Sequence, residues 1–157
     1  MLDTWVVLDG LVPTKLKRWE VRDSGIHGRG VFATKRIDRG DRLMQYRGER
    51  IDWDEANARY ERAAVERGHT FFFDIGNDLV LDGGSGGNSS RWINHGCSPN
   101  VEATIKGKRV YLYALRRILP GEELLLDYRL EMADDSDRDS YACRCSSSEC
   151  RETMLAS

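Results

Sequence analysis

The segment RWINHGCSPN, residues 91–100, places an asparagine, a histidine, a cysteine and a proline close together in the chain. The only other cysteines lie near the C-terminus in the stretch CRCSSSEC, as Cys143, Cys145 and Cys150. A structural zinc site is closed by four tetrahedral ligands, and three clustered cysteines leave one position that Cys97 can fill. The sequence therefore predicts a four-cysteine zinc site that ties the C-terminal tail to residues 91–100.

An alternative interpretation makes Cys97 a small buried apolar residue and leaves the tail cysteines free or disulfide-linked. The first residues, MLDTWVVLDGLVPTKLKRW, hold no basic stretch followed by an apolar core. We therefore expect no secretory signal and no transmembrane span. A reducing compartment, cytoplasmic or nuclear, is then expected, while delivery into a host cell stays open. Such a compartment favours metal-bound cysteines over disulfides.

Length and composition favour one globular domain. The chain has 157 residues, of which 40% are hydrophobic and 32% charged, so it can bury a core of its own. Its formal net charge of −2 argues against the broad basic surface of proteins that bind duplex nucleic acid. We expect no direct nucleic-acid binding, no membrane partner, and a neutral or basic protein as the partner. The sequence does not predict the oligomeric state.

The pattern of residues predicts a mainly β chain with one inserted helix. Short β-rich runs separated by turn residues occur at 19–23, 30–34, 42–48, 71–75, 79–82, 109–115 and 123–128. Apolar residues at helical spacing predict a helix over 52–68, with Asp52 and Glu55 as a capping pair and Gly68 at its end.

A glycine-rich segment, SGIHGRGVFA, precedes the second of these runs. Gly25, Gly28 and Gly30 allow the backbone there to approach a ligand closely, although a flexible turn would have the same composition. The segment does not match a phosphate-binding loop, because it lacks the G-x4-G-K-[ST] pattern and no helix follows it.

Five motifs together give the chain a family resemblance. They are GIHGRGVFA (25–33), YRGE (46–49), RWINHGCSPN (91–100), GEELLLDY (121–128) and CRCSSSECRETML (143–155). In this order the chain resembles SET-domain protein lysine methyltransferases that carry a post-SET zinc motif. The resemblance makes Cys97 the fourth ligand beside the three tail cysteines.

The resemblance implies a SET-domain (β-clip) fold of several small sheets. In that fold residues 94–100 and a C-terminal segment thread together as a pseudoknot, with one inserted helix and a zinc-bound post-SET tail. The expected divisions are an N-terminal flank at 1–16, a SET domain at 17–130 and a post-SET tail at 131–157.

The resemblance also implies S-adenosyl-L-methionine as methyl donor and a lysine of a basic protein or peptide, such as a histone tail, as acceptor. The cofactor-binding residues expected from the motifs are Gly28, Arg29, Gly30, Phe71, Asn94, His95 and Met154. Leu155 is the second candidate after Met154 for covering the adenine. A lone histidine is more often structural, which is the alternative for His95.

Tyr128 matches the catalytic tyrosine of the family, and Tyr46 matches a tyrosine that lines the lysine channel. Without the motifs, both would be interpreted as core or half-buried strand residues. Three positions depart from the family pattern. Leu126 replaces an aromatic residue, which favours di- or trimethylation, Phe71 replaces a cofactor-contacting tyrosine, and Trp92 replaces a phenylalanine.

An acidic run follows the last expected strand: Glu131, Asp134, Asp135, Asp137 and Asp139. It is either a solvated surface or a surface that attracts a basic substrate. The rival function is a SET-like binding module that holds peptide or cofactor without turnover. The presence of Tyr46, Tyr128, Asn94 and His95 together favours the enzyme.

Overall fold

The structure, a computed structural model, describes residues 5–6, 14–15, 17–66, 71–131 and 138–157. Its strands are β1 (Trp5–Val6), β2 (Thr14–Lys15), β3 (Trp19–Asp23), β4 (Arg29–Ala33), β5 (Arg42–Tyr46), β6 (Glu49–Asp52), β7 (Phe72–Gly76), β8 (Leu79–Asp82), β9 (Asn94–His95), β10 (Val101–Lys106), β11 (Arg109–Ala114) and β12 (Leu125–Leu126). The helix α1 spans Trp53–Glu66, and short 3-10 turns span Ser89–Trp92 and Arg138–Tyr141. Among the described residues, the expected mainly β fold with one inserted α-helix is confirmed.

Helix α1 begins where the sequence predicts. The side chain of Asp52 accepts a hydrogen bond from the backbone N–H of Glu55 at 2.9 Å, which satisfies one of the free donors of the first turn. Arg59 then ties the helix to the sheet beneath it, because its guanidinium pairs with Asp82 at 2.7 Å and Glu49 at 2.9 Å. The expected end at Gly68 lies outside the described residues. None of the helices in the described part of the chain is long and apolar enough to cross a membrane.

The strands form several small sheets. The largest has the order β5-β11-β10-β12-β9, a second has the order β6-β8-β7, and the pairs β3-β4 and β1-β2 stand by themselves. Strand β11 shows why the core forms, since Val110, Leu112 and Ala114 alternate with exposed or half-buried residues and are all buried. They pack with Val31 and Ile118, both fully buried, into one apolar core.

Two segments that are distant in sequence cross beside this core. Strand β12 pairs in parallel with both β9 and β10, so it lies between the Asn94 segment and the strand that follows it. Asn100 fastens the crossing, because its side-chain N–H donates to the carbonyl of Glu123 and its side-chain oxygen accepts from the N–H of Leu125, each at 2.8 Å. Asn100 is only 2% exposed, so these bonds satisfy a buried amide. The pairing is the one expected from the pseudoknot.

The structure differs from the sequence-based prediction mainly in short strands. The run at 123–128 forms regular pairing only over β12, because Glu123 forms a bridge to Phe32, the N–H of Leu124 donates to the carbonyl of Val31 and that of Tyr128 donates to the His95 ring. Strands β1, β2, β6, β9 and β10 were not predicted. Strand β10, VEATIK, places polar and exposed residues at most positions, which hides the period-two pattern. The expected boundaries at 16 and 131 stay predictions.

Candidate active site and metal centre

A cavity of about 840 Å³ opens between the glycine loop, the β9 region and the C-terminal tail. Its size lies within the range of roughly 300–1,000 Å³ that small-molecule sites occupy. The lining residues come from segments far apart in sequence: Ile26, His27, Gly28, Arg29, Tyr60, Phe71, Arg91, Trp92, Asn94, His95, Tyr128, Asp139, Ser140, Ala142, Cys143, Arg144 and Met154. The fold thus brings most of the predicted cofactor residues to one place, with Gly30 outside the lining.

Asn94 fastens the glycine loop to the β9 region. Its side-chain N–H group lies within hydrogen-bond distance of the carbonyls of His27 (3.1 Å) and Arg29 (2.9 Å), and of the Glu123 carboxylate (2.8 Å). The other carboxylate oxygen of Glu123 accepts from the hydroxyl of Ser24 at 3.0 Å. Asn94 therefore sets the position of the loop backbone, and Glu123 is a supporting residue that the motif did not single out.

Replacing Gly30 with alanine is expected to disturb this support. A Cβ at position 30 would overlap the carboxylate of Glu123, lying 2.9 Å from its Cδ, and would force that side chain away from Asn94 and Ser24. Overpacking of this kind costs about 1–3 kcal/mol, so we expect a lower melting temperature and weaker cofactor binding. Gly25→Ala is the matched control, since its Cβ meets no atom within 4 Å. Equal thermal stability of the two variants would contradict this role of Gly30.

An aromatic wall with cationic edges borders the cavity. The rings of Phe71 and Trp92 meet edge to face with centroids 5.1 Å apart. The guanidinium groups of Arg29 and Arg91 lie 5.3 and 4.9 Å from the Trp92 ring centroid, within the range of cation–π attraction. The larger ring of Trp92, a departure from the family pattern, thus serves as a common surface for two arginines.

Tyr128 enters the cavity from the segment after β12. Its hydroxyl donates a hydrogen bond to the carbonyl of Ile93 at 2.6 Å, and its ring lies edge-on to His95 with centroids 5.4 Å apart. The residue as a whole is 37% exposed, yet burial of its hydroxyl raises the pKa of Tyr128 to about 12, with the Glu123 carboxylate adding to the effect. The hydroxyl therefore stays protonated at physiological pH.

Tyr46 lies behind the cavity and does not line it. It is 7% exposed, and its hydroxyl donates to the carbonyl of Phe71 at 2.8 Å. Burial raises the pKa of Tyr46 well above its usual value, and the proximity of Tyr128 raises it further. Tyr46 thus packs in the apolar core, and its role in a lysine channel stays a prediction.

The four cysteines converge at the other end of the site. Their sulfur atoms all lie within 4.8 Å of one another, and Cys97 Sγ lies 3.6 Å from that of Cys143 and 4.0 Å from that of Cys150. Four sulfurs placed 2.3 Å from a tetrahedral zinc ion would be about 3.8 Å apart. All four thiols are free, so the disulfide alternative is wrong for this structure. The cluster is compatible with a closed zinc site.

Backbone N–H groups donate to three of the sulfurs and favour the thiolate, whereas burial raises the pKa of the Cys97 and Cys143 thiols. The N–H of Cys145 donates to Cys143 Sγ, that of Arg151 to Cys97 Sγ, and that of Glu152 to Cys150 Sγ, at 3.3–3.4 Å. Burial acts to raise the pKa of the Cys145 thiol, but hydrogen bonds from backbone groups and neighbouring thiols outweigh it and lower that pKa to about 7. Hydrogen bonds to the thiolate of this kind support metal ligation.

The tail folds back onto the body through backbone pairing. The N–H of Leu130 donates to the carbonyl of Met154 at 3.0 Å, and the N–H of Ala156 donates to the carbonyl of Leu130 at 2.9 Å. This pairing turns alternate side chains to opposite faces. Leu155 is 8% exposed and joins the buried apolar residues, whereas Met154 lines the cavity. The geometry thus favours Met154 over Leu155 as the residue that faces a ligand.

Both ring nitrogens of His95 are engaged within the chain. The backbone N–H of Tyr128 donates to Nδ1 at 3.1 Å, and Nε2 lies 3.3 Å from Cys97 Sγ. Burial lowers the pKa of His95, so the neutral ring is favoured. The imidazole is therefore a structural link, and a cofactor contact by this residue is left to its backbone atoms.

Sequence reasoning missed an ion pair beside this histidine. The guanidinium of Arg151 donates to both carboxylate oxygens of Asp127, at 2.9 and 2.7 Å. This bidentate bond, together with the nearby positive charge, lowers the pKa of Asp127. The sequence gives only one signal of this ion pair: Asp127 lies within GEELLLDY, and Arg151 directly follows Cys150. Tyr60, expected only as an apolar helix residue, also lines the cavity.

Comparison with known proteins agrees with this geometry. The family profile described as "SET domain" matches residues 28–129, from the glycine loop to just beyond Tyr128. The chain belongs to the SET-domain family. The fold of this SET domain is also similar to a solved structure of Chaetomium thermophilum Polycomb Repressive Complex 2 bound to GSK126, with a TM-score of 0.66 and 29% identity. That match covers 71% of this chain and 16% of the other.

Curated relatives of this SET domain are described as histone-lysine N-methyltransferases. Trithorax from Drosophila virilis is 38% identical over 136 residues, which cover 83% of this chain and 3% of the relative. The H3 lysine-4 specific enzyme of Mycosarcoma maydis is 36% identical over 159 residues, or 97% of this chain and 11% of the relative. The chain therefore spans only a small part of the length of these relatives.

Proposed function

We propose that this SET domain is a protein-lysine N-methyltransferase that acts on a basic protein substrate, with a lysine of a histone tail as the favoured acceptor. One observation carries the proposal: Tyr128 lines a cavity together with Met154 of the tail, and three of the four clustered cysteines lie in that tail. The printed names of the histone-lysine N-methyltransferase relatives support the substrate class.

The residues around the cavity fit S-adenosyl-L-methionine. The aromatic face of Trp92 and the thioether of Met154 suit a flat adenine ring, and the cations of Arg29 and Arg144 suit a carboxylate. The bound cofactor would supply an electrophilic methyl group on a sulfonium. We propose the backbone of Gly28 and Asn94 as further contacts, since the side chain of Asn94 already fixes that loop.

The residues beside the cavity also favour the neutral acceptor that methyl transfer requires. A free lysine has a pKa near 10.4, so its deprotonation near pH 8 costs roughly 3 kcal/mol. Buried Tyr46, whose ring centroid lies 5.3 Å from that of Phe73, forms an apolar aromatic surface that disfavours an ammonium ion. Tyr128 keeps its proton, so it orients the amine through its hydroxyl oxygen and does not act as a strong base.

Leu126 gives a prediction about the product. In the proposed site it leaves room where a tyrosine would hold the amine and a water molecule, so we expect di- and trimethyl-lysine to accumulate. Leu126→Tyr is expected to shift the product to monomethyl-lysine while leaving the first methyl transfer within about fivefold, since one hydrogen bond contributes about 1 kcal/mol. Mass spectrometry of the product measures both. Monomethyl-lysine as the sole wild-type product would contradict the role of Leu126.

Incubation of the metal-loaded protein with methyl-labelled S-adenosylmethionine and a panel of basic proteins tests the proposed function. The panel includes each core histone and histones whose lysines have been replaced by arginine. We expect label on histone lysine and none on the arginine-substituted histones. Cofactor binding without transfer to any member of the panel would support a binding module and overturn the enzyme assignment.

A further inference from the structure

Two separate routes connect the backbone around Tyr128 to one sulfur atom. In the first, the N–H of Tyr128 donates to His95 Nδ1, and His95 Nε2 lies against Cys97 Sγ. In the second, the side chain of Arg151 pairs with Asp127, the residue before Tyr128. The backbone N–H of Arg151 in turn donates to Cys97 Sγ at 3.4 Å. Both routes end at the same atom.

The direction of the first route follows from its donors. A backbone N–H can only donate, so Nδ1 of His95 must accept from Tyr128, and the neutral ring carries its hydrogen on Nε2. That hydrogen points to Cys97 Sγ, which is the acceptor at 3.3 Å. A thiolate accepts such a bond more strongly than a thiol. The link is therefore strongest when Cys97 is a metal ligand.

The second route holds the same segment through the carboxylate of Asp127. Arg151 holds Asp127 with two hydrogen bonds, a bidentate arrangement that restricts rotation between the planar groups. The Asp127 carboxylate lies 3.6 Å from His95 Nδ1, beyond hydrogen-bond distance, so the two routes run side by side. His95 is 4% exposed, which keeps water away from its bonds. The backbone is thus held both at Tyr128 itself and at the residue before it.

We propose that His95 and the Asp127–Arg151 pair are positioning residues that couple the four-cysteine centre to the placement of Tyr128. The metal centre then does more than hold the tail over the cavity, because it also sets the backbone from which the Tyr128 hydroxyl reaches Ile93. This inference rests on the proposed function, but the link itself is a property of the fold and can be measured without turnover.

Two substitutions of His95 test its contacts with the Tyr128 N–H and with Cys97 Sγ separately. In His95→Asn, the amide oxygen can take the place of Nδ1 and accept from Tyr128, but the side chain ends short of Cys97. In His95→Gln, the longer amide can reach the sulfur as a donor. Both variants keep all four cysteines, so each is expected to bind one zinc ion per chain, the same content that is expected of the wild type.

The expected kinetic result is a loss in kcat without a matching change in KM. His95→Asn should lower kcat about tenfold, the effect of losing one hydrogen bond to a charged group, with KM for the cofactor within about twofold. His95→Gln should recover part of the loss. Unchanged kcat in His95→Asn, or a proportional fall in zinc content that explains the loss, would overturn the positioning role.

Cadmium substitution tests the link independently of activity. In NMR spectra of the cadmium-loaded protein, the hydrogen on His95 Nε2 and the amide hydrogen of Arg151 are expected to couple to the metal through Cys97 Sγ. The His95 coupling should vanish in His95→Asn, while that of Arg151 remains. Absence of both couplings in the wild type overturns the inference. Absence of methyl transfer with the couplings present overturns the proposed function and leaves the link in place.

Discussion

Tyr128→Phe is expected to lower kcat at least about 100-fold, in line with the loss of a preorganised polar group at a reacting centre. The variant keeps the ring that packs against His95 but loses the hydroxyl that bonds Ile93. That bond contributes about 1 kcal/mol to stability, so the protein should stay folded and should bind cofactor with little change. Steady-state methyl transfer and calorimetric cofactor binding measure the two effects separately.

The pH dependence adds a second test of this role. Because burial raises the pKa of Tyr128 to about 12, its hydroxyl stays protonated up to about pH 10. Activity of the wild type should therefore rise with pH as the substrate lysine loses its proton, without a fall caused by the tyrosine. Tyr113→Phe is the matched control, since its hydroxyl meets Lys106 on an exposed surface. Wild-type kcat in Tyr128→Phe would remove this residue from the mechanism.

Removal of the metal by chelation under reducing conditions is expected to release residues 138–157 from the body. Zinc ordering in small sites supplies on the order of 10 kcal/mol, while the tail contributes little buried apolar surface besides Leu155. Hydrogen exchange should become fast at the amides of Cys143, Met154 and Ala156, which bond Glu152, Tyr141 and Leu130. Amides of strand β11, in the centre of the largest sheet, should stay protected.

Substitution of a single ligand should reproduce this result. Cys143→Ser removes one sulfur and is expected to give the same exchange pattern at ordinary zinc concentration. Ser148→Ala, an exposed position in the same loop, is the control and should behave like the wild type. Unchanged protection of the Met154 amide after complete metal removal would contradict the account of the tail.

Local pattern predicted the parts of the fold that depend on local forces. The alternation in RVYLYA gave β11, and the Asp52 cap gave the start of α1. The two-residue strand β9 could not be predicted this way, because it exists only through pairing with β12, about thirty residues further along the chain. Strand β6 was missed because its ERID sequence places charged, exposed residues on either side of one buried isoleucine.

In the site, too, the sequence predicted which residues take part but not the bonds between residues distant in the chain. The cysteine spacing and the family motifs predicted which residues come together, and the structure brings the four sulfurs together as expected. The bonds of Glu123 to Asn94 and of Arg151 to Asp127 join residues 24 or more positions apart, and no local pattern reports them. The choice of Met154 over Leu155 depended on which face of the paired tail turns to the cavity.

The most direct test of the central claim is calorimetric titration of S-adenosylmethionine into the zinc-loaded protein and into the same protein after metal removal. Met154, Ala142 and Arg144 of the tail line the cavity, and we propose that their placement depends on a metal ion that joins the four sulfurs. We expect binding to the zinc-loaded protein and a dissociation constant at least about 100-fold weaker without metal, a loss of about 2.7 kcal/mol. Equal affinity in the two states would contradict the claim that the metal-held tail forms the cofactor site.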